Sequence, residues 1–398
     1  MGGCGIGVDR FFDLSGLDEF ISIVNLTITS NEITQCLRRP IAEPTDAAAS
    51  FAGYGGISLA DVEGLVALDN TISQNGSQPG DPVCGLFALH VEGADLSRNR
   101  ILENGITTSE SLAQKPKRGQ RGGIIIMYAL APTQEVARPA LIIVRKPPPD
   151  QIGIPAARIH DNIVTSPLGQ SVFLNALGAV SVLNNQFTTR GVVQGEISTG
   201  FFASTIWIIN LGFSDEFYLE YLLFSAIGSK DIQPRSGLDD ATPGRILANG
   251  QVLFANNQVS TDFLTAGPTF TLAPILIMTM DDLGFHDNQC EADLLFDFII
   301  SQALLFGLSL RATSNRFEEG VLNAILSALT VGLFANTTAL NQSTHCIIAI
   351  GGNQQVTDGI AKLNTAIVGP NPLLSKLTGG RSVTCESYKE SLTSLLNK

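Results

Sequence analysis

The chain has 398 residues, of which 44% are apolar and only 15% charged, and it carries 39 Gly and 18 Pro. So apolar a composition excludes a disordered chain, and so little charge excludes a coiled coil. Lys and Arg number 24 against 37 Asp and Glu, a formal net charge of −13, which excludes the broad basic footprint of a nucleic-acid binder.

In chain order, residues 1–20 read as a lead-in or cap. Met1-Gly2-Gly3-Cys4-Gly5-Ile6 has neither the basic nor the apolar segment of a secretory signal. Ile6 stands where the myristoylation pattern has Ser or Thr. The expectation is cytoplasmic synthesis with a surface, extracellular or particle-associated destination. The apolar stretch 292–310 holds Asp293 and Asp297, and 321–335 is short for a spanning helix, so no membrane span is expected. Cys4, Cys36, Cys84, Cys290, Cys346 and Cys385 form no Cys-x-x-Cys pair. The even count permits disulfides, but a chain of this length does not depend on them, and the six read as free buried thiols rather than metal ligands or a redox motif.

From residue 20 onward one short pattern returns: apolar-x-x-Asn-x-apolar. It is Ile28 to Ile33 around Asn31, Ala67 to Ile72 around Asn70, and Leu96 to Ile101 around Asn99. It continues around Asn162, Asn185, Asn257, Asn288 and Asn315, with a relaxed copy, Leu333 to Thr338, around Asn336. The shorter steps are 21 to 31 residues, a period that means stacked supersecondary units.

The segments between these sites read as short strands. They are Gly64–Leu68, Gly85–Val91, Ala140–Val144, Gly178–Leu183 and Cys346–Ile350, each bounded by turn formers. No regular helical pattern separates them, which disfavours a βαβ sheet, and leucine-rich framing is absent. Four insertions interrupt the repeat: a Pro/Ala/Gly loop at 40–56, a basic loop at 104–122, a triproline turn at 147–155 and an excursion at 200–245. The basic run Lys115-Pro116-Lys117-Arg118 with Arg121 reads as a solvated loop. The excursion holds the only Trp, Trp207, and the aromatic run Phe213, Phe217, Tyr218, Tyr221 and Phe224. Residues 351–398 read as a C-terminal cap with a short helix at 383–398.

The recurrent Asn after a short strand resembles the right-handed parallel β-helix proteins, the pectate-lyase-like group and its generic parallel β-helix repeats, over about residues 20–350. The resemblance implies an all-β fold, one parallel β-helix with loop insertions. Asn suits its turns because it tolerates left-handed backbone and because its amide can ladder to the Asn of the next layer.

The resemblance also implies two kinds of chemistry. The lyases of this fold use acidic Ca²⁺ ligands with an Arg or Lys base, and the hydrolases use clustered Asp. The best local candidates are Asp281, Asp282, His286 and Asp287, where paired carboxylates could serve as acid and base or as oxygen ligands. The hydrolase motifs Asn-Thr-Asp, Gly-His-Gly and Arg-x-Lys are missing, and Asp287 and Asn288 also fit a turn. His160 and His286 both precede Asp-Asn, which argues for repeat structure rather than a metal site. No cofactor is expected, apart from Ca²⁺ in a lyase.

The leading expectation is a non-catalytic structural or adhesive rod, a component of a surface protein, filament or phage-tail-like appendage. Its partners would be other subunits or domains of an assembly, with carbohydrate contact as a further expectation. The alternative is a polysaccharide lyase or glycoside hydrolase acting along the lateral face.

Overall fold

The computed structural model describes residues 3–8, 23–41, 53–78, 80–105, 117, 119–131, 155–167, 169–191, 204–212, 250–264, 270–271, 273–293, 298–319, 324–343, 345–351 and 365–366. Among them the fold is all-β, with no helix, and the strand pairings are parallel. The strands form a 16-stranded and a 10-stranded sheet. Partners in adjacent strands lie tens of residues apart, as parallel pairing requires, because each connection must cross over.

Three buried columns fill the space between the sheets. The first starts at Ile6 and runs through Ile57, Leu86, Ile124, Val172, Ile206, Ile275, Ala303 and Ala328 to Ile347. The second lies in the same sheet and joins Ile28, Ala67, Leu96, Ile159, Val182, Phe254, Phe285 and Ala312. The third is in the smaller sheet and joins Ile33, Ile72, Ile101, Val164, Phe187, Val259, Cys290 and Phe317. All three belong to one hydrophobic cluster. Down its centre the rings of Phe254 and Phe285 stack at 5.3 Å and those of Phe285 and Phe317 at 6.2 Å, both nearly coplanar. Identical register from layer to layer makes such columns possible, since a slip of one residue would turn every side chain outward.

The two sheets approach closely at Gly56, Gly85 and Gly123. A Cβ on Gly85 would lie 2.1 Å from the Ile101 side chain, and one on Gly123 would lie 2.1 Å from Val164. Later layers put hydroxyls in this space, and they are satisfied across it. Ser171 Oγ lies 2.9 Å from Thr189 Oγ1, and Thr205 Oγ1 lies 2.7 Å from Thr261 Oγ1.

The larger sheet is apolar on its other face as well, as parallel sheets covered on both sides are. Phe87, Ile125, Phe173, Trp207, Leu276 and Leu304 follow one another in register and form a second buried cluster. Trp207, expected in a loop excursion, therefore sits in the strand Ile206–Asn210 and stacks on Phe173 at 6.1 Å. Residues 213–249 lie outside the described residues, and Gly250, where the described chain resumes, lies against Gly212. The sheets also reach past both expected ends of the repeat: Ile6–Val8 pairs with Ile57 to Leu59, and Thr365–Ala366 pairs with Gln342 and Ser343. The expected strand Ala140–Val144, the triproline, the aromatic run 213–224 and the helix 383–398 lie outside the described residues.

Candidate functional site

Each layer turns a corner between the larger and the smaller sheet, and the sequence marks that corner with the repeated Asn. The side chains of Asn31, Asn70, Asn99, Asn162, Asn185, Asn257, Asn288 and Asn315 form a continuous hydrogen-bonded column. At each step the Oδ1 of one Asn accepts from both the backbone N–H and the side-chain amide of the Asn before it. Its own amide also donates to a backbone carbonyl of the preceding layer, as Asn162 does to Leu96 O at 2.8 Å. Both lone pairs and both N–H groups of the amide are thereby used. Burial of the members from Asn70 to Asn315 to 1–2% exposure then costs nothing in unmet polarity.

Two corrections follow at this column. The member after Asn315 is Asn341, not Asn336: Asn315 donates to Asn341 Oδ1 from its backbone and its amide, both at 2.9 Å. Asn336 lies within the larger sheet opposite Leu310, and its amide donates to the carbonyls of Thr330 and Ile350. Asn341 escapes the pattern because the core positions flanking it hold Thr338 and Ser343. The left-handed residue of the corner is also not the ladder Asn but the one before it. Ser30, Asp69, Arg98, Asp161, Asn184, Asn256, Asp287, Ser314 and Leu340 all have φ between 53° and 58°.

A second, shorter ladder stands five residues further on. Asn75 donates to Asn104 Oδ1 from its backbone at 3.2 Å and its amide at 2.8 Å, and Cys36 N–H donates to Asn75 Oδ1. The shared step of 29 residues, from Asn70 to Asn99 and from Asn75 to Asn104, is the signal that would have found it.

Two of the acidic candidates, Asp281 and Asp282, sit beneath the surface. Asp281 is 1% and Asp282 0% exposed, and Gln251 donates to Asp282 Oδ2 at 3.3 Å. His286 is buried in the strand Asp282–His286, with Nδ1 2.7 Å from Thr313 Oγ1. Asp287 is exposed at the left-handed corner. The four residues thus do not converge on one accessible face. His160 and His286 stand in one column through Leu183 and Ala255, so their shared His-Asp-Asn context is a feature of the repeat.

The closest acid–imidazole contact was not foreseen. His90 Nδ1 lies 2.5 Å from Asp61 Oδ1, and the strand register continues from Asp61 and His90 to Tyr128. Glu63 and Glu92 pair two residues along the same strands. Only the register between strands 29 residues apart brings them together. Among the described residues no group of three or more His, Cys, Asp or Glu has the arrangement of a metal site.

The basic run is not a solvated loop where it is described. Lys117 Nζ meets Asp81 Oδ1 at 2.6 Å and the Ile41 carbonyl at 2.7 Å. Arg121 is 7% exposed and donates to the carbonyls of Gly80, Lys117 and Gly119. Burial lowers its pKa to about 10. Burial likewise pushes the Cys84 thiol upward, and its Sγ donates to Gln120 O at 3.3 Å. At the surface Arg98 forks onto Asp69 at 2.8 and 3.0 Å, and this hydrogen bond holds the Asp69 carboxyl below its ordinary value. Cys4, Cys36, Cys84 and Cys290 are free thiols, the last three buried.

Among the described residues no helix is long and apolar enough to cross a membrane. Comparison with protein-family models, with curated proteins and with solved structures gives no match to this chain.

Proposed function

We propose that the chain is a right-handed parallel β-helix with three strand positions per turn, and that it serves as a non-catalytic structural or adhesive rod. In this reading it is a component of a surface protein, filament or tail-like appendage, and its partners are other subunits of that assembly. The observation that carries the reading is the Asn column, continuous from Asn31 to Asn341. A closed, fully bonded spine of this kind suits a fold that repeats one layer along an axis. The three core columns support the same winding, because the chain meets them in the same order in each layer. Ten partners in the first column, at about 4.8 Å per strand, would span about 45 Å. The burial of Asp281 and Asp282 supports a wall without an acidic catalytic cleft at that place.

Electron microscopy of the full chain, together with reducing-end and unsaturated-product assays on neutral and uronate glycans, tests the proposal. Rod-shaped particles without glycan cleavage are expected. Compact isometric particles, or turnover of any glycan, would overturn it.

The lyase or hydrolase alternative draws on a different observation, the Asp61–His90 contact in register with Tyr128. A carboxylate that orients an imidazole is a common arrangement for general acid–base work. Glycan turnover abolished by His90→Gln would place an enzyme there.

A further inference from the structure

The smaller sheet turns a polar surface outward, and its central part, around Gln186 and Gln258, is lined by amides and hydroxyls. Phe187, Val259 and Cys290 point inward and are buried. Their neighbours Gln186, Gln258 and Gln289 stand side by side on the outside in strict register. Two residues along, Thr188, Ser260 and Glu291 form a parallel outward row. Between the two rows runs a groove of about 120 Å³. Gln289 Nε2 donates to Glu291 Oε1 at 3.1 Å. The amides of Gln186 and Gln258 are exposed, and none of the hydrogen bonds among the described residues engages them. No Lys or Arg lines the groove.

We infer that this groove binds an uncharged, extended glycan through Gln186, Gln258 and the hydroxyls of Thr188 and Ser260. The inference rests on the adhesive reading above and names its ligand. A primary amide offers two donors and an acceptor in one plane, and a hydroxyl offers both roles, which matches the alternating demands of sugar hydroxyls. The amides of Gln186 and Gln258 stand one layer, about 4.8 Å, apart, close to the length of a single sugar unit in an extended chain. The competing classes lack their own chemistry here. A nucleic acid or an acidic polysaccharide requires free cations, whereas Glu291 would repel either and the neighbouring Arg316 is ion-paired with Glu318. A peptide adding a strand requires a free sheet edge, but Gln258–Leu264 is paired on both sides. An apolar ligand would find no exposed apolar wall.

Titration calorimetry of the full chain with cellohexaose and chitohexaose, and with a galacturonate hexamer as the charged comparison, decides the matter. A neutral oligosaccharide is expected to bind. The double variant Gln186→Ala/Gln258→Ala should weaken it about tenfold or more, the equivalent of one or two lost hydrogen bonds. Gln342→Ala, in the same column but outside the groove, should leave binding unchanged. These side chains are outside the core, so melting temperatures should match and confirm that the variants fold. Failure of wild type to bind either neutral hexamer, equal binding by the double variant, or preference for the charged hexamer would each overturn the inference. None of these results touches particle shape, so the rod reading stands or falls separately by microscopy.

Discussion

The side-chain oxygen of Asn99 accepts two hydrogen bonds from Asn70, one from its backbone N–H at 3.1 Å and one from its side-chain amide at 3.0 Å. Two residues 29 positions apart in the chain are held to one layer spacing by this contact. Repeated down the corner, it fixes register where the apolar columns alone would only favour it.

Removing one member should therefore be costly. Asn162→Ala would leave both N–H groups of Asn99 and the Leu96 carbonyl short of partners inside the protein, and the Asn185 oxygen would keep only the backbone donor of residue 162. At about 1–3 kcal/mol for each stranded group, with some relaxation, the expected loss is about 3–5 kcal/mol. Urea unfolding monitored by circular dichroism measures it. Asn336→Ala, off the column, still removes amide bonds to Thr330 and Ile350 but should cost less, because it breaks no link between ladder residues.

Much of this architecture is legible in the sequence because the corner and the core are written in one motif. Asn with apolar residues three before and two after marks both the ladder and the two columns it joins. The motif fails where the core turns polar, at Thr338 and Ser343, and there Asn336 was mistaken for Asn341. It says nothing about pairs made only by register. Asp61 with His90, and Lys117 with Asp81, are brought together across 29 and 36 residues by strand pairing and a crossing loop. Buried charge also reads as exposed in a sequence, because Arg121 takes its partners from backbone carbonyls that leave no trace in residue types.

The left-handed corner offers a stabilising substitution. Leu340 has φ of 58° and is 60% exposed, so its side chain contributes little packing to offset the strain. Asn visits this region readily and already occupies it at Asn184 and Asn256. Leu340→Asn should raise stability by about 1 kcal/mol, seen as a higher urea midpoint with unchanged slope.

Thiol reactivity should follow burial. With its pKa pushed upward, Cys84 carries almost no thiolate at neutral pH, and Cys36 and Cys290 are sealed in the main core cluster. Iodoacetamide followed by peptide mass mapping should label Cys4 before Cys36, Cys84 and Cys290, which should react only when denaturant is added. Rapid native labelling of Cys84 would contradict its placement.

Acid should uncouple the corner pair. Asp69 titrates below its ordinary 3.8 when folded, mainly because Arg98 hydrogen-bonds to it. Its contribution is therefore present above 3.8 and is lost as the pH falls through the lower folded value. Wild type should exceed Asp69→Asn in urea midpoint at about pH 6, and the gap should narrow as the pH falls below 3.8. The pair lies at the surface, so the gap should also shrink in high salt.

The most direct test of the central claim is an experimental density map of the full chain, by crystallography or electron cryomicroscopy. The account predicts parallel strands stacked about 4.8 Å apart along a single axis, with the side chains from Asn31 to Asn341 in one unbroken column at a shared corner. A map in which Asn99 and Asn162 lie in separate domains, or on strands that do not neighbour each other, would contradict it.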